Sequence, residues 1–178
     1  MSPTHSESDI TFVASGHPMT IRPLRADEID KLMVLWRAFM NDPSAIDRGL
    51  IPTHEENTKR MVEFVGKVIT EDPNQVLVAE EGGMLVGYLL VQNQPKTPME
   101  TSRHWGYIND LYVVPDHRGR GIGTDLLRRC MEYLGSAGIP HVRLSVWAQN
   151  ERAMRLYTRA GFKDYMLIME AETTADAQ

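Results

Sequence analysis

One stretch limits what this chain can fold into. Residues 113–124 read Val-Val-Pro-Asp-His-Arg-Gly-Arg-Gly-Ile-Gly-Thr. The residues before it, 107–114, predict a strand that ends at Pro115. The residues after it place Leu126, Leu127, Cys130, Met131 and Leu134 at helical spacing over 121–136. Three glycines, Gly119, Gly121 and Gly123, join the two. A strand that turns through glycines into a helix aims unpaired backbone N–H groups and the positive end of the helix dipole at one spot. Glycines also let a ligand approach the backbone closely. With Arg118 and Arg120 alongside, the turn predicts a pocket for a phosphate or pyrophosphate.

Two familiar phosphate loops do not fit it. No Gly-Lys-Ser/Thr follows, so it is not a P-loop. Gly119 and Gly121 supply G-x-G, but the third glycine of a dinucleotide fingerprint falls on Thr124.

The rest of the chain sorts by period. Short strands are predicted at 10–14 and 20–22. Helical spacing follows at Ile29, Leu32, Met33, Trp36, Phe39 and Met40, ended by Asp42-Pro43. A second helix is predicted over 54–69. Residues 76–79 and 84–91, joined by Glu81-Gly82-Gly83, read as a hairpin. After the glycine turn and its helix come a strand through Val142, Leu144 and Val146, a helix over 150–160 stopped by Gly161, and a last strand within 162–169. The order predicts one mixed α/β domain over 19–170, with a flexible lead (1–18) and a polar tail (171–178).

Composition excludes several classes. Lys plus Arg is 19 against 24 Asp plus Glu, a formal net charge of −5. A mildly acidic chain lacks the cation excess on which nucleic-acid affinity draws, so no nucleic-acid partner is expected. No window approaches about 18 apolar residues, so no membrane span is expected. The first nine residues carry no basic and then apolar region of a signal peptide. The single cysteine, Cys130, excludes an internal disulfide and fits a reducing, cytoplasmic setting. Its place on an apolar helix face predicts a buried small hydrophobe. The six histidines show no metal-ligand spacing, so no metal is expected.

The turn, Arg118-Gly119-Arg120-Gly121-Ile122-Gly123, resembles motif A of the GNAT superfamily of acetyl-CoA-dependent N-acetyltransferases, R/Q-x-x-G-x-G/A. Downstream, Asn150 to Phe162 is similar to the family's motif B, N-x-x-A-x-x-x-Y-x-x-x-G-F, through Asn150, Ala153, Tyr157, Gly161 and Phe162. The resemblance implies a GNAT-like fold: a mostly antiparallel, V-shaped sheet of six or seven strands flanked by about four helices. It also implies acetyl-CoA as co-substrate, with the strands ending at Val114 and Val146 splaying to admit it.

By that resemblance, Leu111, Tyr112 and Val113 pair with the pantetheine arm through their backbone. Arg118, Gly119, Arg120, Gly121, Ile122, Gly123 and Thr124 hold the pyrophosphate, mostly through backbone N–H groups. Asn150 contacts the pantetheine region; Asn is also a favoured helix N-cap, and both roles stay open. Tyr157 is the expected general acid, giving a proton to the departing thiolate. Asn109 stands where relatives often carry a carboxylate base, which leaves Asp110 as the candidate. By alternation, Tyr107, Asn109, Leu111 and Val113 share one face of the strand, and Ile108, Asp110, Tyr112 and Val114 the other. Segments 37–53 and 93–103 are expected to shape the site of an acceptor amine on a small molecule, peptide or protein, with Asp47, Glu55 and Glu56 offering negative charge. Homodimers occur in the family. The rival class is a non-catalytic acyl-CoA-binding regulatory module on the same fold.

Overall fold

The computed structural model describes residues 10–14, 17–42, 55–94 and 104–169. The first nine residues of the expected lead, the expected tail (171–178), residue 170, and segments 43–54 and 95–103 lie outside the described residues. Six strands form one sheet in sequence order: β1 (Ile10–Ala14), β2 (His17–Pro23), β3 (Val76–Glu81), β4 (Met84–Gln94), β5 (Trp105–Val113) and β6 (His141–Leu144). Neighbours are antiparallel except β5 and β6, which are parallel. Four helices accompany them among the described residues: α1 (Ile29–Met40), α2 (Glu55–Glu71), α3 (Ile122–Ser136) and α4 (Glu151–Arg159). The sheet takes in residues 10–14 and 17–18, which the sequence assigned to the lead.

The sheet separates two cores. In β3, Val76 and Val78 face one side and Leu77 and Ala79 the other, and all four are fully buried. This explains a continuous apolar run where a half-exposed strand would alternate. One core joins Leu77, Ala79, Leu89, Val91 and Ile108 to Leu126, Leu127, Cys130 and Leu134 of α3. The other joins Val76, Val78, Tyr88, Leu90 and Tyr112 to Leu32, Met33, Leu35 and Trp36 of α1 and Val65 and Val68 of α2. A buried ion pair fixes the start of α1. Arg22 donates to Glu28 through Nη1 (2.7 Å) and Nη2 (2.8 Å), and its Nε donates to Glu80 (2.8 Å).

Three expectations need correction. First, strict alternation fails in β5. Leu90 opposes Asp110 but Val91 opposes Ile108, so Asn109 is an extra residue, a β-bulge. Ile108 therefore joins the α3 core with Leu111 and Val113, while Tyr112 enters the α1–α2 core. Second, β6 stops at Leu144 rather than Val146, because pairing with β5 ends at Ile108–Leu144. Third, residues 162–169 form no strand. Met166, Leu167, Ile168 and Met169 are 77–84% exposed, although Tyr165 is held over Arg143 of β6.

Candidate active site

Past Ile108, β5 keeps β4 on one side and, among the described residues, has no strand on the other. The Tyr107 and Ser145 hydroxyls meet at 2.8 Å and tie the two strands where they part. The opening is a cleft of about 370 Å³. Its walls are Leu111, Tyr112 and Val113 of β5, the glycine turn, and Asn150, Ala153, Leu156 and Tyr157 at α4. An extended chain can add to the open edge of β5 through main-chain hydrogen bonds, as a strand would.

The glycine turn has the shape its sequence implies. Gly119 (φ +78°) and Gly121 (φ +86°) are left-handed, which glycine adopts without Cβ conflict. Gly121 is the N-cap of α3 and offers no side chain to the helix N–H groups. The first helical bond runs from Asp125 N to Gly121 O (3.0 Å), so Ile122, Gly123 and Thr124 keep N–H groups without intrahelical acceptors. These are suited to a phosphate at the positive helix end.

The two arginines of the turn part ways. Arg118 lines the cleft, but its side chain is engaged: Nε donates to the Val113 carbonyl (2.7 Å), Nη2 donates to Asp42, and the guanidinium lies 5.4 Å from the Tyr112 ring centre. Arg120 leaves the cleft and donates two hydrogen bonds to Glu81 at the β3–β4 hairpin. The Arg120 side chain thus braces the turn against the sheet, and the backbone role expected of residue 120 does not depend on it. His117 Nε2 lies 3.1 Å from the same carboxylate. Burial, then the Asp42 charge, raises the Tyr112 phenol above its ordinary pKa, so it is neutral at physiological pH.

Helix α4 forms the opposite wall. The Asn150 side chain accepts from Ala153 N (3.1 Å), the N-cap the sequence left open. Gly161 (φ +92°) ends the helix, and Phe162 N returns to Tyr157 O (3.0 Å). That turn brings the Phe162 ring against Tyr157, with centres 5.7 Å apart, and orients the phenol in the cleft. Leu156 reaches across to Gly123, where an added Cβ would stand 3.3 Å from Leu156 Cδ2.

Asp110 is not on the cleft wall. It is half-buried on the strand face shared with Tyr112 and accepts from the Tyr88 hydroxyl (3.2 Å). Asn109 is exposed. Glu55 and Glu56 are exposed and paired with Lys59 and Arg60 one turn along α2, the pattern of a solvated helix face. Asp47 lies outside the described residues. Phe39 and Asp42 on the cleft wall fall within segment 37–53, which was expected to shape the site, whereas the sequence reading missed His117, Arg152 and Arg159. The last two carried a signal, since positions 152, 156 and 159 share a helix face with Leu156. No group of three or more potential metal ligands occurs among the described residues. Among them, no helix is long and apolar enough to cross a membrane.

Comparison with known proteins agrees with this geometry. Residues 36–162 match the family described as the acetyltransferase (GNAT) family. An uncharacterized N-acetyltransferase of Methanocaldococcus jannaschii is 29% identical over 146 residues, covering 82% of this chain and 61% of that protein. A mycothiol acetyltransferase of Acidimicrobium ferrooxidans is 37% identical over 94 residues, 51% of this chain and 28% of that protein. The chain thus spans less than two thirds of the length of these relatives. A Clostridium acetobutylicum acetyltransferase solved with acetyl-CoA superposes with a TM-score of 0.65 at 22% identity, covering 86% of this chain and 96% of that one. At that identity the likeness speaks for the fold.

Proposed function

The chain belongs to the acetyltransferase (GNAT) family, and from that premise we propose that it moves an acetyl group from acetyl-CoA to a primary amine by direct attack in a ternary complex. One observation carries the reading. The open edge of β5, the unsatisfied N–H groups of Ile122 to Thr124 and the Tyr157 phenol line a single cleft. An acyl-CoA needs these three things: a strand edge for pantetheine, a cradle for pyrophosphate and an acid for the thiolate.

The residues divide the work. Leu111, Tyr112 and Val113 pair with the pantetheine amides through their backbone. Gly119, Gly121, Ile122, Gly123 and Thr124 hold the diphosphate. Arg118, already engaged by Val113 and Asp42, shapes the cradle more than it ligates. Asn150 fixes the start of α4 beside the pantetheine. When the amine attacks the thioester carbon, the C–S bond breaks, and Tyr157 gives its proton to the sulfur. A phenol near pKa ~10 and a thiol near ~8.5 are close enough for that transfer. Asp110 takes the amine proton through water from the α1–α2 side of β5, where it is steadied by Tyr88.

The acceptor is a small-molecule amine, with peptide and protein amines as further candidates. The mycothiol acetyltransferase relative supports the small-molecule class. The buried, lone Cys130 fits a reducing, cytoplasmic setting. A homodimer belongs to the reading as well: the exposed apolar run after Tyr165, held at the sheet edge by Arg143, is the kind of surface a second copy covers. Light scattering at micromolar concentration tests it.

The test of the activity is melting with and without acetyl-CoA, together with release of free CoA over a panel of amines, polyamines, amino acids and peptides. A ligand at ~100 Kd adds ~2.7 kcal/mol of stability. Stabilisation with amine-dependent CoA release is the expected result. Stabilisation without turnover on any amine points to a binding module, and no stabilisation removes the acyl-CoA reading.

A further inference from the structure

We propose that Arg152 and Arg159 form a second anion site on the cleft, one that reads the 3′-phosphate of coenzyme A. The proposal rests on the acetyl-CoA reading above and adds to it a recognition element on α4.

The argument starts from charge pairing. Most arginines near the cleft have an acidic partner: Arg118 has Asp42, Arg120 has Glu81 and Arg155 has Glu151 at 2.9 Å. Arg152 and Arg159 line the cleft and are exposed, and neither has an ion-pair or hydrogen-bond partner among the described residues. Arg155, on the same helix but off the cleft wall, is the neutralised one. In a chain of net charge −5, two open guanidiniums on one wall make a local positive field.

Helix electrostatics does not account for the pair. Arg159 ends α4, where a cation suits the negative end of the dipole. Arg152 is the second residue of the same helix, where a cation is disfavoured. A bound anion removes that penalty. Position also points to phosphate. Arg152 and Arg159 stand four residues before and three after Leu156, the residue that abuts Gly123. At 1.5 Å per residue their backbones lie about 6 Å and about 4.5 Å along the axis from that contact. Long side chains from both positions can converge beside the diphosphate cradle. Coenzyme A carries its extra phosphate on the ribose next to the diphosphate, so the ligand and the cleft each offer two separate centres of charge. The planar guanidinium fork suits a phosphate monoester.

Calorimetric binding of CoA and of 3′-dephospho-CoA tests this, in wild type, Arg152→Gln/Arg159→Gln and Arg155→Gln. Wild type and Arg155→Gln should prefer CoA by about tenfold or more, the scale of a charge-assisted contact. Raised salt should shrink the preference. In the double variant the ratio should fall towards one while dephospho-CoA binding is kept, which also shows that the variant is folded. Equal wild-type affinity for the two ligands overturns the inference and leaves the acyl-CoA reading standing. An unchanged ratio in the double variant overturns it too, and a loss confined to acceptor KM assigns the arginines to the acceptor instead. Failure of wild type to bind either ligand removes both readings.

Discussion

Replacing Gly121 by alanine tests the phosphate cradle at its hinge. Gly121 sits at φ +86°, ψ −7°, and no heavy atom lies within 4 Å of an added Cβ. The methyl group therefore meets open space, and the cost is conformational: about 1–2 kcal/mol for an L-residue held left-handed. For a domain of this size each kcal/mol is about 2–4 °C, so Tm should fall by about 2–8 °C. The strained turn has one release, which is to rotate the peptide out of the left-handed region. That turns the N–H groups of Ile122 to Thr124 off their common focus. Losing one charge-assisted bond of about 1.5–3 kcal/mol weakens CoA binding by about 10-fold to 150-fold. Gly121→Asn should recover part of both losses, because asparagine visits this region more readily. Gly123→Ala is the contrast. That glycine has no positive φ, its Cβ meets only Leu156 Cδ2 at 3.3 Å, and a helical alanine gains up to about 1 kcal/mol over glycine. Its Tm should hold, with any loss confined to CoA binding through crowding of the diphosphate. Differential scanning fluorimetry and calorimetry read both quantities. Gly121→Ala with wild-type Tm and wild-type CoA affinity would refute the argument from φ to cradle.

Other expectations can be checked singly. Tyr157→Phe should lower kcat by about 10²-fold or more with CoA affinity kept, measured by CoA release; an unchanged kcat sinks the acid role. Glu28 is held below its ordinary 4.5 by its hydrogen bonds from Arg22, so its contribution to stability is present above pH 4.5 and fades as pH falls below it. Glu28→Gln should cost about 3 kcal/mol near neutrality and flatten the loss of Tm below pH 4.5, and an acid limb as steep as wild type's contradicts the pairing. Burial pushes the Cys130 thiol up to about 12, so iodoacetamide at pH 8 should label it only after unfolding; fast native labelling contradicts its burial.

What the sequence revealed follows the range of the forces involved. The helical faces, the Asn150 cap and the glycine turn are set by neighbours within a few residues, and the structure has each of them. Long-range pairings escaped. Arg118 finds Asp42 across 76 positions, and Arg120 finds Glu81 across 39, so nothing local distinguishes a phosphate ligand from a strut. Residues 162–169 have strand composition but no strand partner, and composition alone does not form a ladder.

The bulge at Asn109 ties these strands of argument together. Before it, β5 is paired on both edges; after it, among the described residues, only with β4. The extra residue reverses the facing of everything that follows. Strict alternation from Ile108 would send Tyr112 into the α3 core and Leu111 towards α1. The bulge instead keeps Ile108 with α3 and turns Asp110 and Tyr112 towards α1 and α2, where Tyr88 and Phe39 meet them. It also changes what Asn109 signifies. An amide there looks like a lost base only if position 109 faces the reaction. It is exposed at the bulge, where a polar side chain suits solvent. Asp110 is the sole carboxylate of β5, and it stands on the face opposite the α3 core. A base drawn from this strand therefore has to act from the α1–α2 side, while the cofactor uses the strand's open edge. One added residue thus separates the two approaches to a single stretch of backbone.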